Sequence, residues 1–254
     1  PFSVGVRIEQ RQSVIDAGLY GKQAGHPALP KGEYQLSWRD EQGRGVYTFC
    51  MCPGGYVVAS SSEEETVVTN GMSEYARDGE NANAALVVSV DASDFGSGVL
   101  DGVAFQRRLE HQAFVLGGKD YRAPAQSVKS YLEAAAPDLS QAATAPSFSC
   151  GVREADLHSL FPQPINRMLE QGLRRFNRRL PGFADADAVM TGVETRTSSP
   201  VRITRDAQSF QALGMQGLYP CGEGAGYAGG IMSAAVDGVR IAQQIIRQYA
   251  PLQQ

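Results

Sequence analysis

Apolar and polar residues alternate from Phe2 to Glu9 (Phe-Ser-Val-Gly-Val-Arg-Ile-Glu), which predicts a strand with Phe2, Val4, Val6 and Ile8 on one face. Arg11 to Tyr20 reads as a short helix, and Gly21 to Pro30 as a loop rich in Gly and Pro. Strand-like runs follow at Tyr34–Trp38, Gly45–Cys52, Tyr56–Ser60, Thr66–Thr69 and Ala84–Val90. Pro53-Gly54-Gly55 separates the second and third of them and predicts a hairpin turn. The pattern then changes to helical spacing. Val103 to Val115 and Ser127 to Ala135 read as helices, and Asp138 to Ser149 as an exposed loop. Asp156 to Leu160 and Ile165 to Leu180 read as helices again. Ile165, Met168, Leu169, Leu173 and Phe176 mark the buried stripe of the second, which Pro181-Gly182 ends.

Met190–Arg196 and Val201–Ile203 are strand-like, Gly217 to Cys221 reads as the last strand, and Gly230 to Tyr249 as the last helix. On that helix Ile231, Ala235, Val239, Ala242, Ile246 and Tyr249 share one face. This order predicts an α+β or α/β fold: a mixed, largely antiparallel β-sheet with flanking helices.

Composition narrows the function classes. With 254 residues, 43% hydrophobic and 20% charged, the chain can bury a core in one large domain or two small ones. A net charge of −4 offers no concentrated basic face for nucleic acid. The one basic run, Arg174-Arg175-Phe176-Asn177-Arg178-Arg179, reads as the solvated face of a helix. No apolar run is long enough to span a bilayer, which sets membranes aside and leads us to expect a cytoplasmic protein. The chain starts at Pro1, directly before a strand, as an excised piece of a longer protein would. The four cysteines (Cys50, Cys52, Cys150 and Cys221) read as reduced, buried thiols. Cys50 and Cys52 have no histidine near them in sequence, so no metal site is expected. Asn81 and Asn83 read as turn residues, and His111 and His158 as ordinary helix residues.

Candidate chemistry concentrates near the C-terminus. Seven glycines fall between Gly217 and Ala242. Gly222 and Gly224 permit a tight turn, and Glu223 projects a carboxylate that can accept hydrogen bonds from sugar hydroxyls. Gly229-Gly230 place bare backbone N–H groups, with Ile231, at a helix start that carries about half a positive charge. Taken alone, such a pattern serves either to bind a ligand or to pack a strand on a helix. Thr195-Arg-Thr-Ser-Ser-Pro200 gathers hydroxyls and one cation before a strand, making Arg196, Ser198 and Ser199 candidates for a substrate face.

The stretch Gly217–Ala242 resembles the C-terminal motif of two-dinucleotide-binding-fold flavoproteins, in particular the bacterial FAD-dependent dehydrogenases described as NAD(FAD)-utilising. Pro1–Glu9, Gly45–Gly55, Asn70–Ser73, Asn81–Leu86 and Gly192–Arg202 fit the same family, so the resemblance covers nearly the whole chain. It implies that Gly222, Glu223, Gly224, Gly229, Gly230 and Ile231 contact FAD. It also implies that residues 1–200 form a substrate-side insertion domain and 201–254 the returning strand and helix of a Rossmann-like FAD domain. The family's Gly-x-Gly-x-x-Gly element is absent from this sequence. The resemblance therefore implies the C-terminal part of an FAD-dependent oxidoreductase, partnered by the missing N-terminal FAD-binding part and acting on an unidentified small molecule. On its own the piece is expected to bind FAD weakly or not at all. The alternative is a non-catalytic module that captures a substrate or a partner.

Overall fold

The computed structural model describes residues 2–140 and 142–249. Strands β1 (Phe2–Arg11), β2 (Ser37–Arg39), β3 (Gly45–Ala59), β4 (Thr69–Ser73), β5 (Asn81–Val90), β6 (Ala123–Ser127), β7 (Val152–Glu154) and β8 (Val189–Glu194) form one sheet. Its order is β2-β3-β5-β1-β8-β6-β7, with β4 paired to β3. Pairs β2–β3, β3–β4, β3–β5, β1–β8 and β6–β8 are antiparallel, while β6–β7 is parallel. The helices are α1 (Gln12–Tyr20), α2 (Ala92–Phe95), α3 (Asp101–Leu116), α4 (Val128–Leu132), α5 (Gln163–Arg179) and α6 (Ile231–Tyr249). This is the mixed, largely antiparallel fold that the alternating pattern predicts.

The chain divides into two compact units, one of residues 3–90 and 105–195, the other of Phe2 with residues 91–104 and 196–249. In the larger unit α5 buries Ile165, Met168, Leu169, Leu173 and Phe176, the stripe read from the sequence. Each such burial contributes about 1.5–3 kcal/mol relative to exposure. The central strand β1 departs from its pattern. Its apolar face is buried, but so are Ser3, Arg7 and Glu9 on the polar face. Alternation alone reads as a half-exposed strand; here both faces are covered.

The turn expected at Pro53-Gly54-Gly55 does not form, and β3 continues through it. Two register shifts against β5, at Phe49/Cys52 and Cys52/Gly55, mark a bulged stretch instead. Gly54 takes φ +50°, and a Cβ there would fall 2.0 Å from the Arg77 carbonyl oxygen. Proline, with no N–H to give to a ladder, is tolerated at such a bulge. Beyond it β3 pairs with β4 along Gly55–Ala59. β4 brings Thr69 and Asn70 onto the polar face of β1 and β8: Thr69 Oγ1 donates to Glu194 Oε2 at 3.2 Å, and Asn70 Oδ1 accepts from Arg7 Nη2 at 3.1 Å.

That enclosure explains the buried charges. Arg7 donates to Glu194 through Nη2 at 2.8 Å and Nε at 3.3 Å, and through Nη1 to the Cys50 carbonyl at 2.8 Å and to Asn83 Oδ1 at 3.3 Å. Burial pushes the Glu194 carboxyl up, and Arg7 and Thr69 pull it back. Asn81 donates to Glu9 Oε2 at 3.1 Å and to the Ala145 carbonyl at 2.9 Å. Asn81 and Asn83 thus serve a buried polar layer on β5, not a turn.

Other expectations are corrected. The helix expected at Ser127–Ala135 shortens to α4: Ser127 belongs to β6, which pairs with β8, and at the other end Ala134 takes φ +49°, outside the helical region. Val201–Ile203 and Gly217–Cys221 run without strand ladders, since no described strand lies beside them to pair with. None of the four cysteines is in a disulfide, and none is buried: Cys50, Cys150 and Cys221 are exposed and Cys52 half-buried.

Candidate functional site

The smaller unit carries the glycine-rich segment. Residues 222–226 form consecutive turns leading to α6. Gly226 N–H donates to the Glu223 carbonyl at 2.8 Å, and Tyr227 N–H to the Gly222 carbonyl at 3.0 Å, closing the loop on itself. Gly226 has φ +82°, and a Cβ there would lie 2.5 Å from the Val201 carbonyl oxygen, so only glycine lets the two segments approach. Ile203 N–H reaches the Ala225 carbonyl at 3.2 Å, and Arg202 Nε the Gly226 carbonyl at 2.9 Å. Residues 201–203, which follow the polar stretch read from the sequence, are thereby laid against the glycine turn.

The result is a cleft of about 480 Å³ that brings Ser198 and Ser199 together with Gly229, beside Arg202 and Tyr227. Arg196, Gly222, Glu223, Gly224, Gly230 and Ile231 lie outside its lining. Ser198 Oγ donates to the Thr197 carbonyl at 2.8 Å, and Ser199 Oγ accepts from Val201 N–H at 3.4 Å. Arg196 is exposed.

Sequence reading missed the pair that holds the turn in place. Asp237, in the middle of α6, accepts from Arg205 Nη2 at 2.6 Å and Nη1 at 2.9 Å, and from the Gly222 N–H at 2.9 Å. Arg205 also donates to the Pro220 carbonyl at 2.7 Å, and its guanidinium stacks 3.7 Å from the Tyr227 ring centroid. Its hydrogen bonds with Arg205 bring the Asp237 carboxyl down to about 2. The available signal was an aspartate inside an otherwise apolar helical stretch, which calls for a partner. Replacing Asp237 with asparagine is expected to loosen the turn and cost about 1–3 kcal/mol, read as faster amide exchange at Gly222. A carboxyl held below its unfolded value stabilises only above that value, about 3.9, and the contribution is lost as pH falls towards the folded one. The wild-type turn should therefore loosen in acid, whereas the variant should show no such step.

Helix α6 follows its expected extent. Its predicted apolar stripe faces outward: Ile231 is 84% exposed, Val239 57% and Ile246 64%. Asp237 and Ile241 are its buried residues. Met232, Val236 and Tyr249 are exposed as well.

Residues 1–197 match the family described as FAD-dependent protein, C-terminal domain-like. The chain belongs to that family. An uncharacterised protein of Clostridium beijerinckii is 47% identical over 251 residues, which cover 98% of this chain and 46% of the relative. The chain thus spans about half the length of the relative it matches. No helix among the described residues is long and apolar enough to cross a membrane.

The glycine segment fits a flavin nucleotide. Glu223 is half-buried, its carboxyl is pushed up by burial, and no described residue gives it a hydrogen bond. A few residues on, the backbone N–H groups of Ile231, Met232 and Ser233 find no acceptor among the described residues. The space around the Gly224 Cα is open. An acceptor without a protein donor, followed along the chain by a helix start whose N–H groups lack a protein acceptor, suits a ligand that offers both hydroxyls and an anionic edge.

Proposed function

We propose that this chain is the C-terminal, substrate-side part of an FAD-dependent oxidoreductase. The observation that carries the reading is the bare apolar face of α6, directly after a glycine turn with unsatisfied polar groups. In this reading the face packs against the remaining part of the flavoprotein, which would also supply the strand neighbours that Gly217–Cys221 lacks. FAD, when bound, supplies hydride or electron transfer. The chain's own residues bind and orient. Glu223 accepts hydrogen bonds from hydroxyls of the ligand. Gly229, Gly230 and Ile231 present the α6 helix start to its anionic edge, where partial positive charge favours the reduced, negatively charged ring. Gly222 and Gly224 keep the turn low enough for close approach. Ser198 and Ser199 line the adjacent cleft as candidate hydrogen-bonding groups for the substrate, and Arg196 supplies a cation nearby in sequence.

The test is anaerobic bleaching of the flavin in the longer protein by a screen of reductants. One or more should bleach it in the wild type, and Arg196→Ala should slow turnover by about tenfold or more. A flavin that no reductant bleaches would contradict the oxidoreductase reading, and unchanged kinetics in the variant would remove Arg196 from it.

A further inference from the structure

We propose that the groove between the N-terminal half of α5 and the β2–β3 hairpin binds a nucleotide carrying two or more phosphates. The groove encloses about 760 Å³, within the usual range of small-molecule sites, about 300–1,000 Å³. Arg39 and Arg44 line one wall and Arg167 and Arg175 the other. No described carboxylate lies within ion-pair distance of Arg39, Arg167 or Arg175. The one carboxylate on α5, Glu170, is turned to His158 Nε2 at 3.3 Å. Arg174 and Arg178 continue the stripe along the exposed face of the helix, opposite the buried Ile165, Leu169 and Phe176. A carboxylate four residues before an arginine on a helix face would offset its charge, and the one acid so placed, Glu170 before Arg174, is turned to His158. The groove lining holds four arginines against two carboxylates, Asp40 and Glu41, in a chain whose overall charge is −4. Its positive potential is left for an external anion, and arginine forks match phosphate oxygens in pairs.

A flat ring also has a place in the groove. The Arg175 guanidinium lies 4.1 Å from the Trp38 ring centroid, a cation–π stack at the groove wall. Nucleobases stack on aromatic and guanidinium planes of this kind. The wall includes two carboxylates, Asp40 and Glu41. Asp40 Oδ1 accepts from the N–H groups of Gln42 at 3.0 Å and Arg44 at 2.8 Å, which fixes the hairpin tip. Exposed Glu41 is an acceptor for ribose hydroxyls. A groove of about 760 Å³ suits one compact nucleotide, which is the ligand proposed.

Trp38 is the only tryptophan in the chain, so its fluorescence reports on this groove directly. The chain is titrated with ADP, and in parallel with adenosine, inorganic pyrophosphate and a single-stranded oligonucleotide. ADP should give a saturable change with half-saturation below about 1 mM, and adenosine and pyrophosphate should each bind at least about tenfold more weakly. Arg167 is exposed on α5, so Arg167→Glu should fold as the wild type and weaken ADP by about tenfold. No saturable response to ADP, or an equal response in Arg167→Glu, would overturn the proposal. Pyrophosphate binding as tight as ADP would reduce the groove to an anion site and overturn the nucleotide. An oligonucleotide that outcompetes ADP would overturn it in favour of nucleic acid.

Discussion

Replacing Arg7 with methionine is expected to lower the unfolding free energy by about 3–5 kcal/mol, because it strands the Glu194 carboxylate in the interior without its partner. That is a large part of the roughly 5–15 kcal/mol that holds a typical domain together. The pair sits under β4, with Arg7 fully buried and the Glu194 side chain 6% exposed. The pH dependence has a definite sign. In the wild type, burial raises the Glu194 carboxyl and Arg7 opposes the rise. Without Arg7, burial acts almost alone and the carboxyl moves further up. A carboxyl raised above its unfolded value holds its stabilising contribution below that value and loses it as pH rises through the folded one. The deficit of the variant should therefore shrink in acid and grow towards neutral pH in urea melts. The double variant Arg7→Met, Glu194→Leu should recover most of the loss, since an apolar replacement of both partners leaves no charge behind. A single variant as stable as the wild type at neutral pH would show that the pair does not hold β4 over β1 and β8.

The second large effect concerns α6. Replacing Val239 with aspartate should leave the stability of this chain within about 0.5 kcal/mol, because the side chain is already exposed. In the longer protein the same change should abolish most flavin retention. There the proposed interface would bury Val239, and a lone buried carboxylate costs several kcal/mol. The two measurements together separate an interface from a solvated face. Undiminished flavin in the variant would mean that α6 keeps its apolar face in water, and the proposed packing would be wrong.

The sheet was legible where periodicity decides. The β1 alternation, the α5 stripe and the extent of α6 all follow from residue spacing. Pro53-Gly54-Gly55 misled because its turn chemistry serves a bulge equally well, and only the strand neighbours distinguish the two. The alternation in β1 sets Arg7 and Glu9 on its polar face, and nothing in β1 itself announces that β4 and the loop at Ser147 will cover them. In the candidate site the sequence named the glycines and Glu223 but not Arg205–Asp237. That contact joins residues 32 apart, and spacing along the chain does not record it. The stripe on α6 follows from residue spacing, and among the described residues it stays exposed. An apolar face specifies that it will be covered, and not by which part of a protein.

The account rests on this chain holding one side of a flavin site. The most direct measurement is the flavin content of residues 1–254 purified alone and incubated with FAD, beside that of the longer protein. The account predicts little or no visible flavin absorbance for this chain and close to one flavin per polypeptide for the longer one. Near-stoichiometric flavin on residues 1–254 alone would contradict it.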